Sequence, residues 1–240
     1  MGIPDHAHSL EREKLLVKWL EKIRHDAEEI FLMGDVFDFW FEYKNVVPKG
    51  FVRLLGKLAE LTDAGISIHL FRGNHDLWAF DYLEKEIGIQ LYRKPVIRNI
   101  MGKTFYLAHG DGLGPGDKSY KFLKTIFEFR PNQFMFQWLH PDVGAWMGNY
   151  FSRRSRLAKM SRAGKEEPFF DKEKEMLFNH ARDMHEEFPD VDYFVFGHRH
   201  MPIVTNIDDN AQLVILGDWI SHFSYGFFDG DKFRLERYEG

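Results

Sequence analysis

Four short apolar runs in this sequence end abruptly in side chains that can bind cations or move protons. Leu70-Phe71 leads into Arg72-Gly73-Asn74-His75-Asp76, and Phe31-Leu32-Met33 leads into Gly34-Asp35. Tyr106-Leu107-Ala108 leads into His109-Gly110-Asp111, and Phe194-Val195-Phe196 into Gly197-His198-Arg199-His200. Each reads as a strand delivering chemistry at its C-terminal end, where an open α/β sheet gathers its ligands. Any one of these endings alone is equally compatible with a polar cap on a turn. Together, Asp35, Asn74, His109, His198 and His200 form a carboxylate, amide and imidazole donor set without sulfur, which suits Mn²⁺, Fe²⁺ or Zn²⁺. An aspartate can bridge two such ions, and two-ion sites of that kind hydrolyse phosphate esters and anhydrides. His75 offers an acid or hydrogen-bond donor, and Gly73 lets the backbone turn tightly enough to present both neighbours.

These endings need elements to position them. Leu15, Leu16, Trp19, Leu20 and Ile23 recur at helical spacing, which predicts a helix from an N-cap at Ser9 to about His25. A strand follows at 29–34. Pro48 is expected to open a second helix with Leu54, Leu55, Leu58 and Leu61 on one face, ending near Gly65. Strands are expected at 66–71 and 89–92 around a helix at 77–87, then a hairpin of Val96–Ile100 with Thr104–Leu107 across Met101-Gly102-Lys103. Residues 112–165 break this alternation with helical segments near 117–129, 131–139 and 141–158, which read as an inserted lid. A helix at 168–187 and strands near 192–197, 203–207, 212–216, 222–228 and 232–237 complete one α/β domain over residues 1–240.

Composition bounds the function. At 240 residues the chain supports one substantial core and an insertion. Its formal charge of −5 gives no general reason to expect nucleic acid as a partner. No cysteine is present, which excludes disulfides and thiolate metal ligands and fits a reducing compartment. No apolar run approaches the roughly 18 residues of a membrane span, and the first residues lack the pattern of a signal peptide. Aromatic residues are abundant, with 24 Phe and 6 Trp. Many fall between Phe122 and Phe151, beside the basic cluster Arg153, Arg154, Arg156, Lys159 and Arg162. An apolar surface next to arginines suits acyl chains, phosphate and an anionic bilayer, while plain helical packing with solvated charges is the alternative.

In order, Gly34-Asp35, Gly73-Asn74-His75-Asp76, His109-Gly110-Asp111 and Gly197-His198-Arg199-His200 resemble the motif set of the calcineurin-like metallophosphoesterases. Gly34-Asp35-Val36-Phe37-Asp38-Phe39-Trp40, the insertion, and Asp117 with Tyr120 are similar to the hydrolases of UDP-2,3-diacylglucosamine in lipid A synthesis. The resemblance implies a four-layer α/β/β/α sandwich, two divalent ions with Mn²⁺ expected first, and hydrolysis of a pyrophosphate to UMP and 2,3-diacylglucosamine 1-phosphate. It places Asp35 between the ions, Asn74, His109 and His198 on the second, and His200 on the first. His75 is expected to donate to a phosphoryl or leaving-group oxygen. Asn74, Asp117 and Tyr120, with Arg154, are expected to contact substrate. It also implies a peripheral enzyme on the cytoplasmic face of a bacterial inner membrane. Other phosphohydrolases of the superfamily and a non-catalytic metal-binding scaffold are the alternatives.

Two departures stand out. The family pattern opens with a strand ending in Asp-x-His, which supplies ligands to the first ion, and this sequence has no such strand. The expectation is an amino-terminal truncation that leaves neighbouring strands with unpaired backbone groups and weakens one metal site, the competing reading being that Asp5, His6 or His8 substitutes. Where this subgroup commonly has arginine, the sequence has His75.

Overall fold

A computed structural model describes residues 6–116, 118–163 and 171–240, apart from the side chains of residues 6, 7, 153 and 155–163. Helix α1 (His6–Ile23) precedes β1 (Glu29–Leu32), α2 (Val52–Asp63), β2 (Ser67–Phe71), α3 (Tyr82–Ile87) and β3 (Gln90–Tyr92). The three strands form a parallel sheet in the order β1-β2-β3. On α2 the leucines at i, i+4 and i+7, Leu54, Leu58 and Leu61, are buried against Leu16, Leu20, Ile30, Ile68 and Leu70. Burial of those three side chains contributes about 6 kcal/mol before entropy is charged, which is what fixes the helix on the sheet.

The hairpin β4 (Val96–Ile100) and β5 (Lys103–Ala108) turns through Met101 and Gly102, both at positive φ. That backbone matches the twist of the strands it joins. Three helices follow, α4 (Lys118–Glu128), α5 (Arg130–Gln137) and α6 (Pro141–Ala163), then α7 (Met176–Glu187), β6 (Tyr193–Phe196), β7 (Pro202–Asn206), β8 (Gln212–Leu216), β9 (Ser224–Phe228) and β10 (Phe233–Arg237). The second sheet runs β4-β5-β6-β8-β7, parallel through its centre and antiparallel at both edges.

Strand β6 is buried on both faces, and its alternation shows the layering. Phe194 and Phe196 pack outward beneath Leu177, Phe178 and Ala181 of α7. Tyr193 and Val195 pack inward with Phe105, Leu107 and Val214 against Met33 and Phe71, in the space between the sheets. The result is the expected α/β/β/α order, with α1 to α3 outside one sheet and α7 outside the other.

Among the described residues strand β1 pairs only with β2, and β9 only with β10. Between them runs a cleft of about 980 Å³, lined by Ile30, Phe31, Leu107, Leu216, Tyr225 and Phe228 among others, which reaches Asp35, His198 and His200. Among the described residues the edges of β1 and β9 along it are unpaired.

Several helix ends differ from the sequence reading, and carboxylates remote in sequence explain it. Ser9 lies inside α1 and does not cap it. Helix α2 begins at Val52 and not at Pro48, because Glu13 of α1 caps it by accepting from the backbone N–H groups of Arg53 and Leu54, at 3.0 and 3.1 Å. Helix α3 starts only at Tyr82, where buried Glu42 accepts from the N–H groups of Phe80, Asp81 and Tyr82 and from Trp40 Nε1. Helix α7 starts at Met176 behind Glu175, whose side chain accepts from the Leu177 N–H, while 164–170 lie outside the described residues.

Candidate metal centre

The loops after β1, β2, β5 and β6 meet at one end of the two sheets. Gly34 and Gly73 allow it: a Cβ on Gly34 would lie 2.8 Å from His109 Cγ, and one on Gly73 would lie 2.6 Å from the Asp35 nitrogen. Side chains there would hold the strand ends apart. Asp35 and His198 take positive φ, which turns the chain sharply after β1 and β6. Buried Asp76 ties two of the loops, accepting from Gly73 N–H at 2.6 Å through Oδ1 and from Val36 N–H at 2.9 Å through Oδ2.

His109 donates Nδ1–H to the Met33 carbonyl at 2.6 Å. That fixes its tautomer and leaves Nε2 as the ligating nitrogen, 3.3 Å from Asp35 Oδ2. The other Asp35 oxygen accepts from His75 N–H at 2.9 Å. Ligand atoms of Asp35, His109 and His198 lie within 4.8 Å of one another, closer than unrelated polar caps would converge. Asn74 Oδ1 is a buried acceptor without a hydrogen-bond partner among the described residues, and His109 Nε2 faces Asp35 across the same gap. Buried acceptors left unpaired are costly, and a cation held among them removes that cost. The residues present therefore fit a divalent ion.

The electrostatics agree. Burial works against a charged His109, yet Asp35, then Asp111 and the Met33 carbonyl, outweigh it and push the imidazole up to about 9. Asp35 is held far below the ordinary carboxylate range: His109 and His75 overcome its burial. Asp76, buried beside the Asp35 charge, is pushed up to about 6. Asp35 and Asp111 thus face His109 and Lys124 as a compact set of opposed charges, with Asp76 held toward its neutral form.

A family model for the calcineurin-like phosphoesterases matches residues 7–202, spanning all four strand-end motifs. The chain belongs to the calcineurin-like phosphoesterase family. Members of this family use divalent metals, in line with the donor set at Asp35, His109 and His198. The UDP-2,3-diacylglucosamine hydrolase of Porphyromonas gingivalis is 40% identical over 247 residues, covering 100% of this chain and 94% of that protein. Those of Hahella chejuensis and Vibrio vulnificus are 26% and 25% identical, each across 92% of this chain and 88% of theirs.

The remaining sequence-derived positions of this phosphoesterase fall in different surroundings. His75 stands at the cleft with Nδ1 2.9 Å from the Asp38 carbonyl and 3.1 Å from Ser152 Oγ, which leaves Nε2 outside both contacts. His200 lines the same cleft but is not among the converging ligands; its Nδ1 lies 3.3 Å from Asp218 Oδ2. Tyr120 donates its hydroxyl to Asp111 Oδ2 at 2.6 Å, an oxygen also reached by Lys124 Nζ at 2.8 Å. Arg154 is exposed on α6, and Asp117 lies outside the described residues.

Four residues that contact the site positions were not singled out from the sequence: Asp76, Asp111, Ser152 and Asp218. Asp76 and Asp111 stand inside motifs already quoted. Ser152 follows Gly144 and Gly148 at a spacing of four, a small-residue face that lets α6 lie against Tyr43 and Phe39. Phe136 of α5 packs among Phe39, Phe41 and Trp78, and Trp78 Nε1–H donates to the Phe127 carbonyl, so the aromatic run after Asp35 is the seat for α4 to α6. The outer side is different. Helices α4 and α5 bury no residue, and Phe122, Phe134, Met135, Trp138 and Trp146 are all at least 60% exposed. No helix among the described residues is long and apolar enough to cross a membrane.

Proposed function

We propose that this phosphoesterase hydrolyses the pyrophosphate of UDP-2,3-diacylglucosamine to UMP and 2,3-diacylglucosamine 1-phosphate. The observation that carries the proposal is the 40% identity, over the whole chain, with a relative named as a hydrolase of that substrate. The exposed apolar side chains of α4 to α6 support it, because a soluble nucleotide would give them nothing to bind.

In this reading Asp35, Asn74, His109 and His198 hold one divalent ion, and His200 contributes to a second, with Mn²⁺ the expected metal. Bound there, divalent ions supply Lewis-acid polarisation of the phosphoryl oxygens and a lowered water pKa. Met33 and Asp38 fix the imidazoles of His109 and His75 through their carbonyls. As an imidazolium, His75 donates from Nε2 to a phosphoryl or leaving oxygen, the charge of which grows in the transition state. Asp117, Tyr120 and Arg154 are the further substrate contacts, Asn74 serves substrate as well as metal, and α4 to α6 act as a lid that takes the acyl chains. The apolar outer side and neighbouring basic residues dock the protein on the anionic cytoplasmic face of an inner membrane.

The test is Mn²⁺-dependent release of UMP from UDP-2,3-diacylglucosamine, set beside UDP-glucose and a simple phosphodiester. Release from the lipid substrate alone is expected. Equal turnover of the soluble compounds would replace this reading with a general phosphohydrolase, and metal binding without turnover of any of them would leave a scaffold.

A further inference from the structure

The loop after β8 carries a carboxylate with two separate tasks. Asp218 is nearly buried, its side chain 7% exposed. Its Oδ1 accepts from the backbone N–H groups of Ile220, Ser221 and His222 at 2.9, 2.7 and 3.0 Å, which closes the turn. Its Oδ2 lies 3.3 Å from His200 Nδ1 and 3.3 Å from His222 Nδ1. Asp218 and His200 both line the cleft that holds Asp35 and His198, whereas His222 does not. One oxygen therefore shapes the backbone, and the other holds an imidazole beside the metal centre.

An imidazole that gives its Nδ1 proton to a carboxylate keeps Nε2 as a lone pair, the form required of a metal ligand. We infer that Asp218 is the positioning residue for His200: through Oδ2 it fixes the Nδ1–H tautomer and directs the Nε2 lone pair of His200 to a divalent cation in the cleft. His222 Nδ1 lies near the same oxygen from outside the cleft without a hydrogen bond among the described residues, and is dispensable for this. The inference rests on the reading of His200 as a ligand, given above, and adds a residue to it.

Asparagine separates the two tasks. In Asp218→Asn the amide oxygen still accepts from Ile220, Ser221 and His222, so the turn is kept. The amide NH₂ in place of Oδ2 can only donate, and His200 must then present Nδ1 as acceptor and carry its proton on Nε2. The experiment records imidazole ¹H–¹⁵N correlation spectra at about pH 8.5 on the metal-free full chain, with His200 assigned from His200→Ala, and Mn²⁺ titrations of the same proteins. Expected are the Nδ1–H tautomer at His200 in the unsubstituted protein and in His222→Ala, and the Nε2–H tautomer in Asp218→Asn. Thermal unfolding of Asp218→Asn should stay close to that of the unsubstituted protein. Its weaker Mn²⁺ site should lose about 10- to 100-fold in affinity, the usual effect of removing such a partner. An unchanged Nδ1–H tautomer in Asp218→Asn would overturn the inference. Separately, Mn²⁺ affinity untouched by His200→Ala would overturn His200 as a ligand, whatever the spectra show.

Discussion

Replacing Gly34 by alanine should disable the metal centre through a single methyl group. At φ +92° this position disfavours any L side chain, and that alone costs on the order of 1–3 kcal/mol. The added Cβ would also lie 2.8 Å from His109 Cγ, closer still to Nδ1, and 2.9 Å from Gly73 N. Ordinary contact begins near 3.4 Å, so the His109 ring must retreat by more than the roughly 0.5 Å that a metal or catalytic site tolerates. Its hydrogen bond to the Met33 carbonyl, now 2.6 Å, breaks with that shift, and Nε2 moves away from Asp35. Lost ligand geometry of this size corresponds to about a 100-fold fall in turnover, with a comparable fall in Mn²⁺ affinity. Gly50→Ala provides the control. Gly50 also has positive φ, at +108°, but a Cβ there meets nothing within 4 Å. Both variants should lose stability in urea, and only Gly34→Ala should lose metal, measured by Mn²⁺ titration and elemental analysis. Wild-type Mn²⁺ affinity in Gly34→Ala would refute the idea that the close approach of these strand ends builds the centre.

Other outcomes follow from the same geometry. His75→Ala should lower UMP release by about 10²- to 10⁴-fold while Mn²⁺ content stays as it is, since the imidazole gives Nδ1 to the Asp38 carbonyl and serves substrate with Nε2; metal loss in this variant would make His75 a ligand. His69 is fully buried beside Arg98, and burial first, then that guanidinium, pull its imidazole down to about 4. The folded protein therefore binds fewer protons than the unfolded chain between about pH 6.5 and 4, so stability is complete above this window and falls by on the order of 2 kcal/mol as pH drops through it. In urea titrations His69→Phe should lack that slope, and an equal slope in both proteins would assign it elsewhere. Exchanging exposed Phe122 and Trp138 for serine should weaken binding to vesicles containing anionic lipid at least tenfold and leave hydrolysis of a short-chain soluble analogue nearly unchanged. Undiminished vesicle binding would remove those two side chains from any docking surface.

The strand ends were legible because two signals coincide there: an apolar run too short for a helix, and a glycine followed at once by a ligand-type side chain. Phe31 to Asp35 and Phe194 to His198 show this, and the structure brings their carboxylate and imidazole within 4.8 Å. Helix starts were not legible in the same way. Pro48 and Ser9 carry the local chemistry of a helix start, yet Glu13 and Glu42 cap α2 and α3 from 40 and about 40 positions away in sequence, where no local pattern records them. The same holds for Asp218, 18 positions beyond His200 and joined to it only when β7 and β8 pair. What periodicity and spacing encode is the element and its last residue, while the groups that hold those residues in a given tautomer come from other strands.

That division also accounts for the two-sided character of α4 to α6. Their inner contacts are specific: Phe136 enters the aromatic cluster of Phe39, Phe41 and Trp78, Gly144 and Gly148 admit Tyr43 and Phe39, and Ser152 reaches His75. The run Phe37 to Phe41 therefore has Asp35 at one end and the seat of the helices at the other. Ser152 of α6 reaches the His75 ring, and the His75 N–H in turn donates to Asp35, so a displacement of α6 is felt at His75 and, through it, at Asp35.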